Sequence, residues 1–146
     1  SGSLKDTMEN QRHVSVLIPY KIHNGNILVF LQKREKDRKV LPGYFAFFGG
    51  KLEEGESPEQ GLEREIQEEL CFAPRGYQFL NQYPFSDWTG NVYMLQVDDS
   101  FESNIKVTEG EYGKFFSEQE VLHEPMIIQH DKDILKDLYQ RLKKEL

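Results

Sequence analysis

The chain has 146 residues, room for one domain with a real core, and its 38% apolar content with ten Phe and seven Tyr excludes disorder for the body of the chain. A formal charge of −7 argues against a nucleic-acid polymer or an anionic membrane as partner. The single Cys71 excludes an internal disulfide and a cysteine-rich zinc site, which fits a reducing, cytoplasmic compartment, and no apolar run approaches the ~20 residues that span a bilayer.

Ser1-Gly2-Ser3 reads as an expression scar, and residues 1–10 as a flexible N-terminus ahead of one domain over residues 11–146. Val14 to Tyr20 reads as a strand, with Pro19 marking a sheet edge or a strand end. His23-Asn24-Gly25-Asn26 supplies a turn, and Ile27–Leu31 returns as the second strand of a hairpin. Gln32 to Lys39 is polar and charged and reads as a surface loop; its Lys33, Arg34, Lys36, Arg38 and Lys39 could steer a polyphosphate, although an exposed charged loop explains them nearly as well. Tyr44 to Phe48 then delivers the chain into Gly49-Gly50.

From Pro58 to about Phe72 the pattern is helical, with Ser57 as N-cap, Pro58 in the first turn, and Leu62, Ile66 and Leu70 as one buried stripe. Gln78–Tyr83 and Asn91–Val97 read as strands, with Asp87, Gly90 and Asn91 around a turn, and Lys114–Phe116 as a short strand. A long amphipathic helix is expected from near Pro125, with Met126, Ile127, His130, Ile134, Leu135, Leu138 and Leu142 on its apolar face. Strands around one central helix and followed by another predict a mixed sheet covered by helices on both faces.

On the first helix Glu65, Glu68 and Glu69 stand at i, i+3 and i+4 and share a face away from the apolar stripe. Arg64 lies near enough to orient them through charge-assisted hydrogen bonds. Gly49-Gly50 allows a ligand close approach to the backbone, and Gly55 supplies a turn that returns Glu53 and Glu56 toward the helix. Hard oxygen ligands without a sulfur or imidazole cluster point to Mg²⁺, with Mn²⁺ as a substitute; His13, His23, His123 and His130 are too scattered to compete. The simplest chemistry for this device is metal-assisted attack of water on a phosphoric anhydride. Glu54, Glu59 and Glu63 read as solvated, Cys71 as a buried or helix-end thiol, and the aromatic groups around Phe47 and Trp88 as packing first and base-stacking second.

The run Gly50, five residues, Glu56, seven residues, Arg64-Glu65-Ile66, one residue, Glu68-Glu69-Leu70-Cys71-Phe72 closely resembles the Nudix box of MutT-like pyrophosphohydrolases. It departs only at Cys71, where the family usually has Gly, so the difference bears on the helix cap and not on a ligand. The resemblance covers 23 of 146 residues. It implies an α/β fold, an α/β/α sandwich with a central mixed sheet, and hydrolysis of a nucleoside diphosphate linked to a moiety X with Mg²⁺. It also implies Gly50, Glu65, Glu68 and Glu69 as metal ligands, Arg64 as their organiser, Glu56 as support, and Glu68 or Glu69 as the base acting on water. A further glutamate from a distant loop is expected, with Glu111 preferred to Glu109. Gly49-Gly50-Lys51 resembles the members that cleave nucleoside triphosphates, so Lys51 and Trp88 are expected to meet a small nucleotide substrate. A nucleotide sugar or ADP-ribose as substrate, and an idle nucleotide- or partner-binding module, are the alternatives; the protein is expected as a monomer or homodimer.

Overall fold

The computed structural model describes residues 12–146, so the expected N-terminal scar and tail lie outside the described residues. Seven strands form one sheet: β1 (His13–His23), β2 (Asn26–Lys33), β3 (Phe45–Ala46), β4 (Phe48–Lys51), β5 (Gln78–Phe85), β6 (Trp88–Gln96) and β7 (Tyr112–Phe116). Helix α1 (Pro58–Leu70) follows β4, and α2 (Glu118–His123) and α3 (Gln129–Glu145) end the chain. The strand order is β3-β2-β1-β6-β5, with β4 paired to β1 and β7 to β2. The β1–β6 pair is parallel and the other pairs are antiparallel, so the sheet is mixed.

Alternation along the strands builds two cores. Leu17, Phe30, Phe48, Tyr93 and Leu95 point to one face, where they meet Leu62, Ile66 and Leu70 of α1. Val16, Ile18, Val29, Leu31, Val92 and Met94 point to the other, where Val121 of α2 and Ile134, Leu135, Leu138 and Leu142 of α3 cover them. The expected α/β/α sandwich is the observed one.

Several expectations need correction. Pro19 marks neither an edge nor an end; it sits within β1, which pairs with β2, β4 and β6. Its neighbour Tyr20 turns its carbonyl to β6, accepting from Val97 N–H, so Pro19 faces the opposite edge. There β4 pairs with Val14–Leu17 and β2 with Tyr20–His23, and position 19 falls in the gap between them. The missing N–H costs no ladder bond. Gln32 belongs not to a surface loop but to the buried end of β2. Gly90 and Asn91 are inside β6, and the turn is Ser86-Asp87. Phe85 packs over Gly90 so closely that a Cβ there would overlap its ring. Pro125 does not start a helix: residues 125–127 form a turn whose Met126 carbonyl accepts from Phe45 N–H at 2.8 Å, and α3 starts at Gln129. The short α2 was not expected, although Ser117 and Glu120 form a reciprocal capping box there. By contrast, the Asn24-Gly25 hairpin turn is as read, with both residues at positive φ.

At the sheet margin, β5 carries a bulge between Phe79 and Asn81, and the carbonyls of Phe79 and Leu80 accept from the Arg141 guanidinium of α3 at 3.3 and 2.9 Å.

Helix α1 begins with a complete capping box between Ser57 and Gln60, with Pro58 in its first turn, and ends at Cys71, which adopts the left-handed conformation at φ 51°. That backbone state is strained for a residue with a Cβ. Cys71→Gly should therefore raise stability by about 0.5–1 kcal/mol, a gain of a few degrees in Tm by differential scanning calorimetry, with turnover unchanged.

In α3, Asp131 is 5% exposed, and burial pushes its carboxyl from the ordinary 3.8 up to about 7. The folded state thus favours protonated Asp131, whose contribution is full below about pH 3.8 and is lost as pH rises to about 7. In urea unfolding at a series of pH values, the stability of the wild type relative to Asp131→Asn should fall from about pH 4 to about pH 7 and then level off. Parallel curves across that range would contradict the assignment.

Candidate active site

The site is assembled where β4 crosses β1 and meets α1. Gly49 has φ 141°, and a Cβ there would stand 2.1 Å from the Ser15 carbonyl oxygen, so only glycine lets β4 lie this close to β1. Gly50 is crowded from the helix side: its Cβ would fall 2.7 Å from the Glu65 carboxyl carbon. The two glycines therefore let a β-strand backbone press against a helix carboxylate.

Arg64 organises the acidic side chains. Its Nε and Nη2 donate to the two oxygens of Glu56 at 2.8 and 2.9 Å, a fork that fits the planar guanidinium. Its Nη1 donates to Glu65 at 3.0 Å and lies 3.5 Å from Glu68, while Nη2 also reaches the Lys51 carbonyl at 3.1 Å. These partners raise the Arg64 pKa, and Arg64 in turn holds Glu56 below the usual carboxylate range. Glu56 also accepts from Glu53 N–H at 2.7 Å, which closes the loop through Gly55.

The three helix glutamates have unlike surroundings. The Glu68 side chain is 57% exposed. Glu69 is 2% exposed and accepts from Gly49 N–H at 3.1 Å. Burial pushes the Glu69 carboxyl up to about 9 against the opposing Gly49 bond, and the charges of Glu109 and the neighbouring Glu65 push the same way. Two neighbouring carboxyl groups, one of them out of water, favour a proton on the buried one or a cation beside both. Among the described residues, no three or more His, Cys, Asp or Glu side chains gather their ligating atoms as a metal shell. The reason is visible: Arg64 draws Glu65 and Glu68 to one side, and Gly49 N–H holds Glu69. The donor set nonetheless fits a hard divalent cation, since a positive charge beside the Glu65–Glu69 pair is what would let both carboxyls ionise together.

Residues 105–111 bring a fourth carboxylate. Thr108 N–H donates to the Glu69 carbonyl at 2.9 Å, and Thr108 Oγ1 to the Glu68 carbonyl at 2.6 Å. The next residue, Glu109, acts electrostatically on Glu69. Glu111 stands just ahead of β7 with its N–H on the Lys33 carbonyl at 2.8 Å. The backbone bonds at Thr108 bring Glu109 close to the end of α1, whereas the backbone of Glu111 is bonded to β2. Lys51 and Trp88, both expected at the substrate, lie against each other, with the ammonium 4.6 Å from the ring centroid. Phe85 stacks edge-on against His130 at 5.0 Å and lies on Gly90, so it is a packing residue. Glu54, Glu59 and Glu63 are exposed, as are Arg38 and Lys39. Sequence reasoning missed Thr108 and the Gly49 N–H as part of this centre; the turn-forming Thr-Glu-Gly before a strand was the one available signal.

A family model described as NUDIX domain matches residues 10–138. The chain is 32% identical over 98 residues to the 8-oxo-dGTP diphosphatase of Escherichia coli (strain K12), covering 66% of this chain and 74% of that protein. It is 44% identical over 59 residues to the nucleoside triphosphatase NudI of Enterobacter sp. (strain 638), covering 40% of each. Among solved structures, the NUDIX domain of Shewanella oneidensis NrtR complexed with ADP ribose superposes with a TM-score of 0.71 at 18% identity, covering 90% of this chain and 88% of that one. That likeness is one of fold.

A side chain at position 50 has no room that Glu65 does not already occupy. Gly50→Ala should displace the Glu65 carboxylate and lower kcat by roughly 10²-fold with a native circular dichroism spectrum. Wild-type turnover in this variant would break the link between the close approach and the site.

Proposed function

The chain belongs to the Nudix family of pyrophosphohydrolases, and we propose that it hydrolyses a phosphoric anhydride bond in a nucleoside triphosphate or a related nucleoside diphosphate derivative with Mg²⁺, for which Mn²⁺ can substitute. The observation that carries this reading is the Glu65–Glu69 carboxyl pair, set beside Gly49-Gly50 and tied to Arg64. The triphosphate preference is supported by the resemblance to an 8-oxo-dGTP diphosphatase and to NudI.

Glu65, Glu68 and Glu69 would hold the cation, with Glu109 joining them from the 105–111 segment and the Gly50 carbonyl as a further oxygen ligand. When bound, the cation supplies charge neutralisation at the phosphates and a lowered pKa for the attacking water. The rest falls to the chain's own groups. Arg64 orients Glu65 and limits the swing of Glu68, and Glu56 keeps Arg64 in plane. Glu68, exposed beside Arg64, is the carboxylate positioned to take a proton from water; Glu69, anchored by Gly49 N–H, is suited to serve as a fixed ligand. Lys51 over Trp88 presents a cation and an aromatic face for a phosphate and a base.

A panel of nucleoside triphosphates, nucleotide sugars, ADP-ribose and dinucleoside polyphosphates, with Mg²⁺ and with chelator, tests the substrate class by phosphorus NMR of the products. Cleavage of triphosphates is expected to dominate; cleavage confined to ADP-ribose or sugar conjugates would move the reading to those, and no cleavage anywhere would leave a binding module. In the same assay Glu68→Gln and Glu69→Gln should each cut kcat by about 10²-fold or more. Both should weaken Mn²⁺ binding in a direct titration, Glu69→Gln by more, and the reverse order would exchange the two roles.

A further inference from the structure

Residues 105–111 run from the end of α1 to β2 and are held from both sides. On the helix side, the N–H groups of Lys106 and Thr108 donate to the carbonyls of Leu70 and Glu69, both at 2.9 Å. These are last-turn carbonyls that a helix leaves without internal partners. On the sheet side, Gln32 Nε2 donates to the Glu109 carbonyl at 3.1 Å, and the Glu35 carboxylate accepts from Gly110 N–H at 3.0 Å. Gln32 is 6% exposed at the end of β2, where an unbonded carboxamide would be costly. Gly110 has φ 79°, and a Cβ there would meet the Lys33 carbonyl oxygen at 2.6 Å and Gln32 Cγ at 2.8 Å. The segment therefore lies flat on β2 only because position 110 is glycine. Glu109 is the residue between the two sets of bonds, so its backbone is fixed on both sides, close enough for its charge to act on Glu69 and on Arg34.

We propose that Gln32 and Glu35 are positioning residues that fix Glu109 against the carboxylates at the end of α1. Both act through the backbone of the segment: Gln32 on the Glu109 carbonyl, Glu35 on the following N–H. Glu35 serves as a hydrogen-bond acceptor, and its charge is incidental to this task. The inference rests on the reading of Glu109 as the fourth carboxylate of the site.

The test pairs substitutions that separate acceptor from charge. Glu35→Ala and Glu35→Gln both remove the charge, but the amide oxygen of glutamine can still accept from Gly110 N–H. Gln32→Met keeps the side-chain length and removes the donor. Each is made in the wild type and in Glu109→Gln, and each is measured for kcat, KM and, without substrate, Mn²⁺ affinity. Glu35→Ala and Gln32→Met should lower kcat by roughly 10-fold or more and weaken Mn²⁺ binding, with KM little changed, while Glu35→Gln stays near wild type. In the Glu109→Gln background the same substitutions should add less than about twofold, because they would then act on a group already removed. Equal damage from Glu35→Ala and Glu35→Gln, undiminished losses in the Glu109→Gln background, or wild-type values for Glu35→Ala would each overturn the proposal. Should Gln32→Met fail to fold, the two Glu35 variants decide the matter alone. Glu109→Gln by itself distinguishes the failures: wild-type turnover and Mn²⁺ affinity there would end the role of Glu109 and the clamp with it, whereas a damaged Glu109→Gln beside an intact Glu35→Ala would end only the clamp.

Discussion

The guanidinium of Arg64 is the interaction around which the site is arranged. Four carboxylates, those of Glu53, Glu56, Glu65 and Glu68, lie within 4 Å of it. Without that cation the like charges would splay apart, and the loop through Gly55 would lose the contact that folds it back on α1. The planar fork matters as much as the charge: one edge grips Glu56 while the remaining nitrogen reaches Glu65 and approaches Glu68. A lysine could neutralise the cluster but not hold three groups in fixed directions.

The helix then divides neighbouring residues by their angle. Glu68 and Glu69 are adjacent in sequence and about 100° apart around the axis. One faces solvent, and the other is pressed beneath the Gly49 backbone. The same rotation that turns Ile66 and Leu70 into the core gives Glu69 a nearly dry environment and Glu68 a wet one. For Glu69, burial alone is the largest cause of a raised proton affinity.

Much of this was legible in the chain. Ser57, Pro58 and the Leu62–Ile66–Leu70 stripe define α1 locally, and the glutamate spacing on its other face follows from helical geometry. Where local signals served several outcomes, they misled. A proline inside a strand pattern suggests an edge, yet Pro19 fits mid-strand because β1 changes partners beside it, a fact set by β2 and β4 together. Pro125 has the look of a helix start, but the Met126 carbonyl is committed to Phe45, far earlier in the chain. The Glu109 carbonyl is bonded to the Gln32 amide, 77 positions away, so where its backbone lies cannot be read from its neighbours in sequence. Such contacts exist only once the sheet has closed.

The bulged strand β5 has a consequence beyond the site. Among the described residues β5 stands at the end of the sheet order, the place where a second chain could add a strand and start an ordered aggregate. Pro84 removes one donor from this strand, the bulge at Leu80 breaks the regular spacing, and Arg141 draws the two nearby carbonyls toward α3. The margin is thereby a poor template for growth by a second chain.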